Sequence, residues 1–99
     1  MAQYDLFADP AENGYLLDVQ SDLLEGLNVR AVVPLLRQDI APIAASRLNP
    51  AFEIEGAVHL MMTQYIAAVP TSILKSPIGE LSESFDAITA ALDMLFHGF

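Results

Sequence analysis

Residues 82–99 read SESFDAITAALDMLFHGF, and in this stretch the apolar spacing changes from that of the chain before it. Phe85, Ile88, Leu92, Leu95 and Phe99 fall three or four apart, on one face of an α-helix. Alanines at 87, 90 and 91 raise helix propensity. Ser82 or Ser84 is placed to accept a bond from the free amides of the first turn, and Glu83 and Asp86 lie near the positive end of the helix dipole. Gly98 stands just past the last full turn, where a left-handed residue often ends a helix.

Working outward, the preceding residues read as short strands. Gln3 to Phe7 mixes aromatic and aliphatic types and runs into Asp9-Pro10-Ala11-Glu12-Asn13-Gly14, whose Asn-Gly pair is a strong hairpin signal. Tyr15 to Gln20 is the next strand, Gly26 and Asn28 mark a turn, and Val29 to Leu36 is a third. Pro34 has no amide proton, which places it at an edge or bulge and argues against a central strand. Asp39 to Pro50 reads as a mobile excursion with at most one helical turn. Phe52 to Glu55 and Val58 to Thr63, separated by Gly56, form a second hairpin. Ala67–Val69 and Ser72–Leu74 are strand pieces around Pro70, and the sheet is expected to end at Ser76-Pro77-Ile78-Gly79. Short strands plus one helix imply an α+β, mainly β fold: a curled antiparallel sheet or open barrel partly covered by the helix.

Composition sets the bounds. Ninety-nine residues suffice for a single domain, 1–99, and a hydrophobic fraction of 54% against 17% charged is that of a folding chain. A formal charge of −9 repels phosphate backbones, so direct nucleic-acid binding is disfavoured. Absence of cysteine removes disulfides, thiolate catalysis and Cys-ligated zinc, and fits a reducing, cytoplasmic compartment. Met1-Ala2-Gln3-Tyr4-Asp5 does not read as a signal peptide. Ala57 to Leu74 lacks charged residues, but His59, Thr63, Gln64, Pro70, Thr71 and Ser72 interrupt it, and no membrane span is expected. A mean hydropathy of +0.41 is high for a small soluble monomer and points to a homodimer.

Catalytic signatures are missing: no phosphate-cradling glycine loop, no G-x-S-x-G elbow, no H-E-x-x-H pair. His59 and His97 lie on different expected elements, so neither a metal site nor a cofactor is expected, and the chain is not read as an enzyme. His59 reads as a hydrogen-bonded or half-exposed strand residue, Glu53 and Glu55 as one solvated face, and Arg30 and Arg37 as partners in surface ion pairs. Of Met61 and Met62, only one should face the core. Phe96 and Phe99 read as the end of the helix's apolar face, with a contact tip of His97, Gly98 and Phe99 as the alternative.

Several blocks resemble the CcdB toxins of bacterial toxin–antitoxin modules. They are Val19-Gln20-Ser21-Asp22-Leu23-Leu24, Arg30 with Val32-Val33-Pro34-Leu35, Met61-Met62-Thr63 with Ala67-Ala68-Val69-Pro70, and Leu95-Phe96-His97-Gly98-Phe99. The resemblance covers nearly the whole chain, from Tyr4 to Phe99. It implies an SH3-like antiparallel barrel with a carboxyl-terminal α-helix and a symmetric homodimer that binds the A subunit of DNA gyrase and traps the gyrase-cleaved DNA complex. A CcdA-like antitoxin would neutralise it and co-repress the operon with it, so that DNA is reached only through gyrase or antitoxin. Ser21, Leu23, Leu24, Asp93, His97, Gly98 and Phe99 match the positions that contact gyrase. His97 stands where well-known members place a tryptophan that stacks on a gyrase arginine, and Asp93 replaces a neutral amide. For the antitoxin, the acidic turn Asp9, Glu12, Asn13 and Gly14 is the expected surface. Two alternatives stand beside this reading: a non-toxic or retargeted dimer that only titrates antitoxin, and an endoribonuclease like the MazF and Kid toxins, which share the barrel.

Overall fold

In the computed structural model, which describes residues 2–10, 14–41 and 45–99, seven strands and one α-helix are seen among the described residues. They are β1 (Asp5–Ala8), β2 (Gly14–Asp18), β3 (Val29–Arg37), β4 (Ala51–Ile54), β5 (Ala57–Met61), β6 (Ala67–Pro70), β7 (Gly79–Glu80) and α1 (Phe85–His97). All strand pairs are antiparallel, in the order β4-β5-β3-β2-β1-β7 with β6 also on β3. The nine-residue β3 is long enough to serve two partners on one side: β6 along Val29–Val32 and β5 along Leu35–Arg37, while β2 lies along its other edge. Sharing one strand in this way curls the sheet into a half-barrel, the mainly β architecture expected.

Pro34 is therefore in a central strand, contrary to the edge placement expected, and the geometry shows why it is tolerated. Its carbonyl accepts from the Met62 amide at 2.9 Å, so the nitrogen of the same residue also points toward the β5/β6 side. There β6 has ended at its Val32 pairing and β5 begins only at Leu35. The missing donor falls in the gap between two partners, where no ladder bond is required.

The β4–β5 hairpin closes on the Ile54–Ala57 pair through Glu55 (φ +52°) and Gly56 (φ +82°), two left-handed residues that make a type I′ turn. Glu55 thus belongs to the turn and not to the strand face expected to hold Glu53 and Glu55 together, although both are exposed. The strand pattern also stops at Met61; the chain turns at Met62 into the short 3-10 helix Thr63–Tyr65, and both methionines are buried. Ser72–Leu74 is not a strand: Thr71–Ile73 winds into a 3-10 turn, held by Thr71 N–H to Asn28 O (3.0 Å) and Leu74 N–H to Thr71 O (3.1 Å). Nor does the sheet end at Gly79, because Ile78 N–H reaches Leu6 O at 2.8 Å and β7 adds to the free edge of β1.

Of the expected excursion, residues 42–44 lie outside the described residues, and the remainder ends in one helical turn, Asn49 N–H to Ala45 O at 2.7 Å. The buried Asn49 amide also donates to Met61 O (2.9 Å) and Gln64 Oε1 (2.7 Å), which anchors this end to the core.

Successive residues of a strand face opposite ways, and here both faces are covered. Leu6, Leu17, Val33, Leu35, Met61, Ile88 and Ala91 pack on the helix side, and Phe7, Leu16, Val32 and Leu74 on the other. That explains the continuous apolar runs in β1–β3. Each fully buried Leu, Val or Ile contributes about 1.5–3 kcal/mol. On α1 the inward stripe is Ile88, Ala91, Leu92 and Leu95, whereas Phe85 and Phe99, both expected on it, are exposed. Gly98 ends the helix with φ +79° and its N–H on Met94 O at 3.1 Å, which diverts Phe99 from the helical face. At the other end neither Ser82 nor Ser84 caps by its side chain; the Ser82 hydroxyl and N–H bond the Glu80 carboxylate and hold that carboxyl below its ordinary range.

Candidate functional site

The residues expected at the gyrase contact occupy two separate features. The first is the 3-10 turn Asp22–Leu24. Ser21 starts it by accepting from the Leu23 amide at 3.2 Å, and Asp22 Oδ1 accepts from the Gln3 amide at 2.7 Å. Beneath the turn, Gln20 Nε2 donates to Leu24 O and Val29 O, both at 3.2 Å, while its Oε1 accepts from Ala31 N–H at 3.1 Å. Gln20 leans on a second pair: Arg30 Nε and Nη2 donate to Asp18 Oδ2 at 2.8 and 2.7 Å, and Asp18 Oδ1 accepts from the Gln20 amide. The surface ion pair expected of Arg30 is thus a buried one, while that of Arg37, with Asp39 at 2.9 Å, is exposed. Burial pushes the Asp18 carboxyl up, and the Arg30 bond and the Gln20 amide pull it back. Held this way, Leu23 stands 94% exposed, beside exposed Leu24, and Leu27 and Val29 farther along the chain are exposed too, an apolar pair that sequence reasoning did not single out.

The second feature is the end of α1. Asp93, His97, Gly98 and Phe99 are all exposed, and so is Phe96, which was expected to finish the buried stripe. Phe96 and Phe99 are 64% and 74% exposed, and Phe99 lies with its ring centroid 6.3 Å from that of His97, tilted by 42°. The tip therefore projects from the body and does not end a core face. Among the described residues no hydrogen bond or ion pair joins the tip to the Ser21–Leu24 turn.

Of the acidic turn, Asp9 and Gly14 are described and Glu12 and Asn13 lie outside the described residues. Asp9 N–H donates to Gly14 O at 3.0 Å. Gly14 has a structural duty, since a Cβ there would run into the Leu35 carbonyl. Both residues border a cleft of about 550 Å³ whose other walls include Tyr15, Arg37, Glu55 and His59. His59, 4% exposed, is hydrogen-bonded as expected, through Nδ1 to Ala57 O at 3.0 Å, and it meets the Tyr15 ring edge-on at 4.9 Å. Burial first, and then the nearby Glu55 carboxylate, raise the Tyr15 phenol above its ordinary value. Tyr15 and Glu55 escaped sequence reasoning as a pair because only the β2–β3–β5 pairing brings them together.

Among the described residues no three His, Asp or Glu side chains are grouped to hold a metal, and no helix is long and apolar enough to cross a membrane. A family model described as CcdB protein matches residues 3–98.

Proposed function

The chain belongs to the CcdB family, whose members are toxins of toxin–antitoxin systems that act on gyrase, and from that premise we propose that it binds the gyrase A subunit and traps the cleaved gyrase–DNA complex. It acts as a symmetric homodimer and performs no bond-making of its own. The observation that carries this reading is the exposed tip of α1, where Phe96, His97 and Phe99 stand out around the Gly98 cap. Two large apolar rings left in water are typical of a surface that a partner covers. Ser21, Leu23 and Leu24 supply the second contact, together with Asp93 on α1.

A CcdA-like antitoxin neutralises the toxin and co-represses the operon with it, docking at the Asp9–Gly14 side of the molecule. Charge supports this division, because a −9 surface favours a basic peptide and repels DNA. It also weighs against an endoribonuclease. Of the four basic residues, Arg30 is buried on Asp18 and Arg37 is paired with Asp39, leaving Arg47 and Lys75 to hold a phosphate backbone.

His97 favours a second reading, that of a non-toxic or retargeted dimer that only binds antitoxin. An imidazole offers less area than a larger aromatic for stacking on a target arginine, and a charged ring would repel it. Both readings meet in one experiment: expression without antitoxin, with cleaved gyrase–DNA complexes measured on purified gyrase. Growth arrest with accumulated cleavage is the expected result; soluble protein with neither effect leaves the non-toxic dimer that only binds antitoxin.

A further inference from the structure

We propose that the cleft between the β4–β5 turn and the start of β2 binds a guanidinium group, presented as an arginine side chain on an extended peptide. The cleft leaves hydrogen-bonding capacity unused. His59 Nδ1 faces the Ala57 carbonyl, which can only accept, so Nδ1 carries a proton, and in the neutral ring Nε2 is the lone-pair acceptor. Nε2 has no protein partner among the described residues, yet it is not sealed in, because no buried polar side-chain atom is left unsatisfied there. The side chain that carries it is 96% enclosed and lines the cleft, so that opening is where Nε2 emerges.

Glu55 adds an exposed carboxylate, with two acceptor oxygens, to the same wall. Among the described residues the one cation on the wall is Arg37, whose charge is offset by Asp39 through Nη2 at 2.9 Å. The cleft therefore offers acceptors, an aromatic ring and negative charge. That combination suits a planar cation with several N–H donors, which can reach a carboxylate and a ring nitrogen together. An ammonium lacks the fork that spans two acceptors. The raised Tyr15 phenol agrees with a wall of this polarity.

Identifying the peptide with the antitoxin rests on the function proposed above; the chemistry of the cleft does not. The test uses the full chain, isotope-labelled, titrated with acetyl-Gly-Arg-Gly-amide, its lysine counterpart and its uncharged citrulline counterpart. Saturable amide shifts confined to Tyr15, Glu55, Ala57 and His59 are expected with arginine, weaker ones with lysine and none with citrulline. Glu55→Gln lowers the affinity about tenfold, while Glu53→Gln, which removes an exposed carboxylate outside the cleft lining, leaves it unchanged. Equal response to citrulline, shifts spread over the acidic surface, or equal losses in the two variants overturn the proposal. Gyrase cleavage is read separately. A chain that traps gyrase but ignores arginine refutes the cleft alone, and one that binds arginine without touching gyrase refutes the toxin alone.

Discussion

Arg30 and Asp18 meet at 2.7 Å with their side chains 1% and 0% exposed, which makes them a charged pair inside a β-sheet core and not on its surface. Two charges taken out of water are held by each other and by the Gln20 backbone, so removing one strands the other. Arg30→Met or Asp18→Leu alone is expected to destabilise the fold by about 3–5 kcal/mol in urea unfolding. The double variant should recover most of that loss, because no unpaired charge remains.

Gln20 transmits this anchoring to the turn that carries Ser21, Leu23 and Leu24. Its side-chain amide satisfies Leu24 O, Val29 O and Ala31 N–H, and a Gln20→Leu change leaves all three without that partner, at a cost of about 1–3 kcal/mol. Amide hydrogen exchange should accelerate at Leu23, Leu24 and Ala31 while β5 and α1 stay protected. If the turn contacts gyrase, trapping weakens in step with that local loosening.

The parts of the fold that local pattern could reveal were those with a local cause. The three- and four-residue spacing of Ile88, Leu92 and Leu95, the cap at Gly98 and the turn around Gly56 are each written within a few residues. What escaped depends on partners distant in the chain. Pro34 sits in a central strand because β6 stops before it and β5 starts after it, and β7 is a strand because β1 has an open edge. Arg30 looks like any surface arginine until β2 places Asp18 beside it. Of the expected contact residues, Leu23, His97 and Phe99 are exposed as a binding role requires, whereas Gly14 is explained by the nearness of β3. The Tyr15–Glu55–His59 cleft had no sequence signal, since its members come from different strands and a turn.

Gly14→Ala tests that last distinction between contact and packing. The added methyl meets the Leu35 carbonyl, a backbone atom within the β2–β3 ladder that cannot swing aside. A loss of about 1–3 kcal/mol is expected in thermal or urea unfolding. Gly98→Ala, by contrast, meets no neighbour, and it is opposed only by the left-handed backbone, at about 1 kcal/mol.

Alkaline pH should expose the Tyr15–Glu55 pair. The phenol is raised in the folded chain, so above 10.0 the unfolded chain loses this proton first and the folded chain still holds it. The folded state then binds more protons than the unfolded one, and stability falls as pH rises through that window. Tyr15→Phe removes this part of the slope. Glu55→Gln takes away the carboxylate and brings the Tyr15 titration back toward 10.0, as read by tyrosinate absorbance.

The tip of α1 separates folding from function most cleanly. Phe99 lies beyond the Gly98 cap, and both Phe99 and His97 are exposed, so neither contributes to the core. Phe99→Ala and His97→Arg should therefore change stability by no more than about 0.5 kcal/mol. On gyrase the same changes act at the surface proposed to wedge into the target. Truncating a central aromatic anchor typically costs about 2 kcal/mol or more, a loss of over tenfold in affinity. An added guanidinium at 97 brings like charge against the target arginine expected at this contact. Both variants should fail to accumulate cleaved DNA while unfolding at the same urea concentration as the parent. If Phe99→Ala traps gyrase as well as the parent does, the ring is not part of the contact, and the Leu23 turn would have to supply the apolar anchor instead.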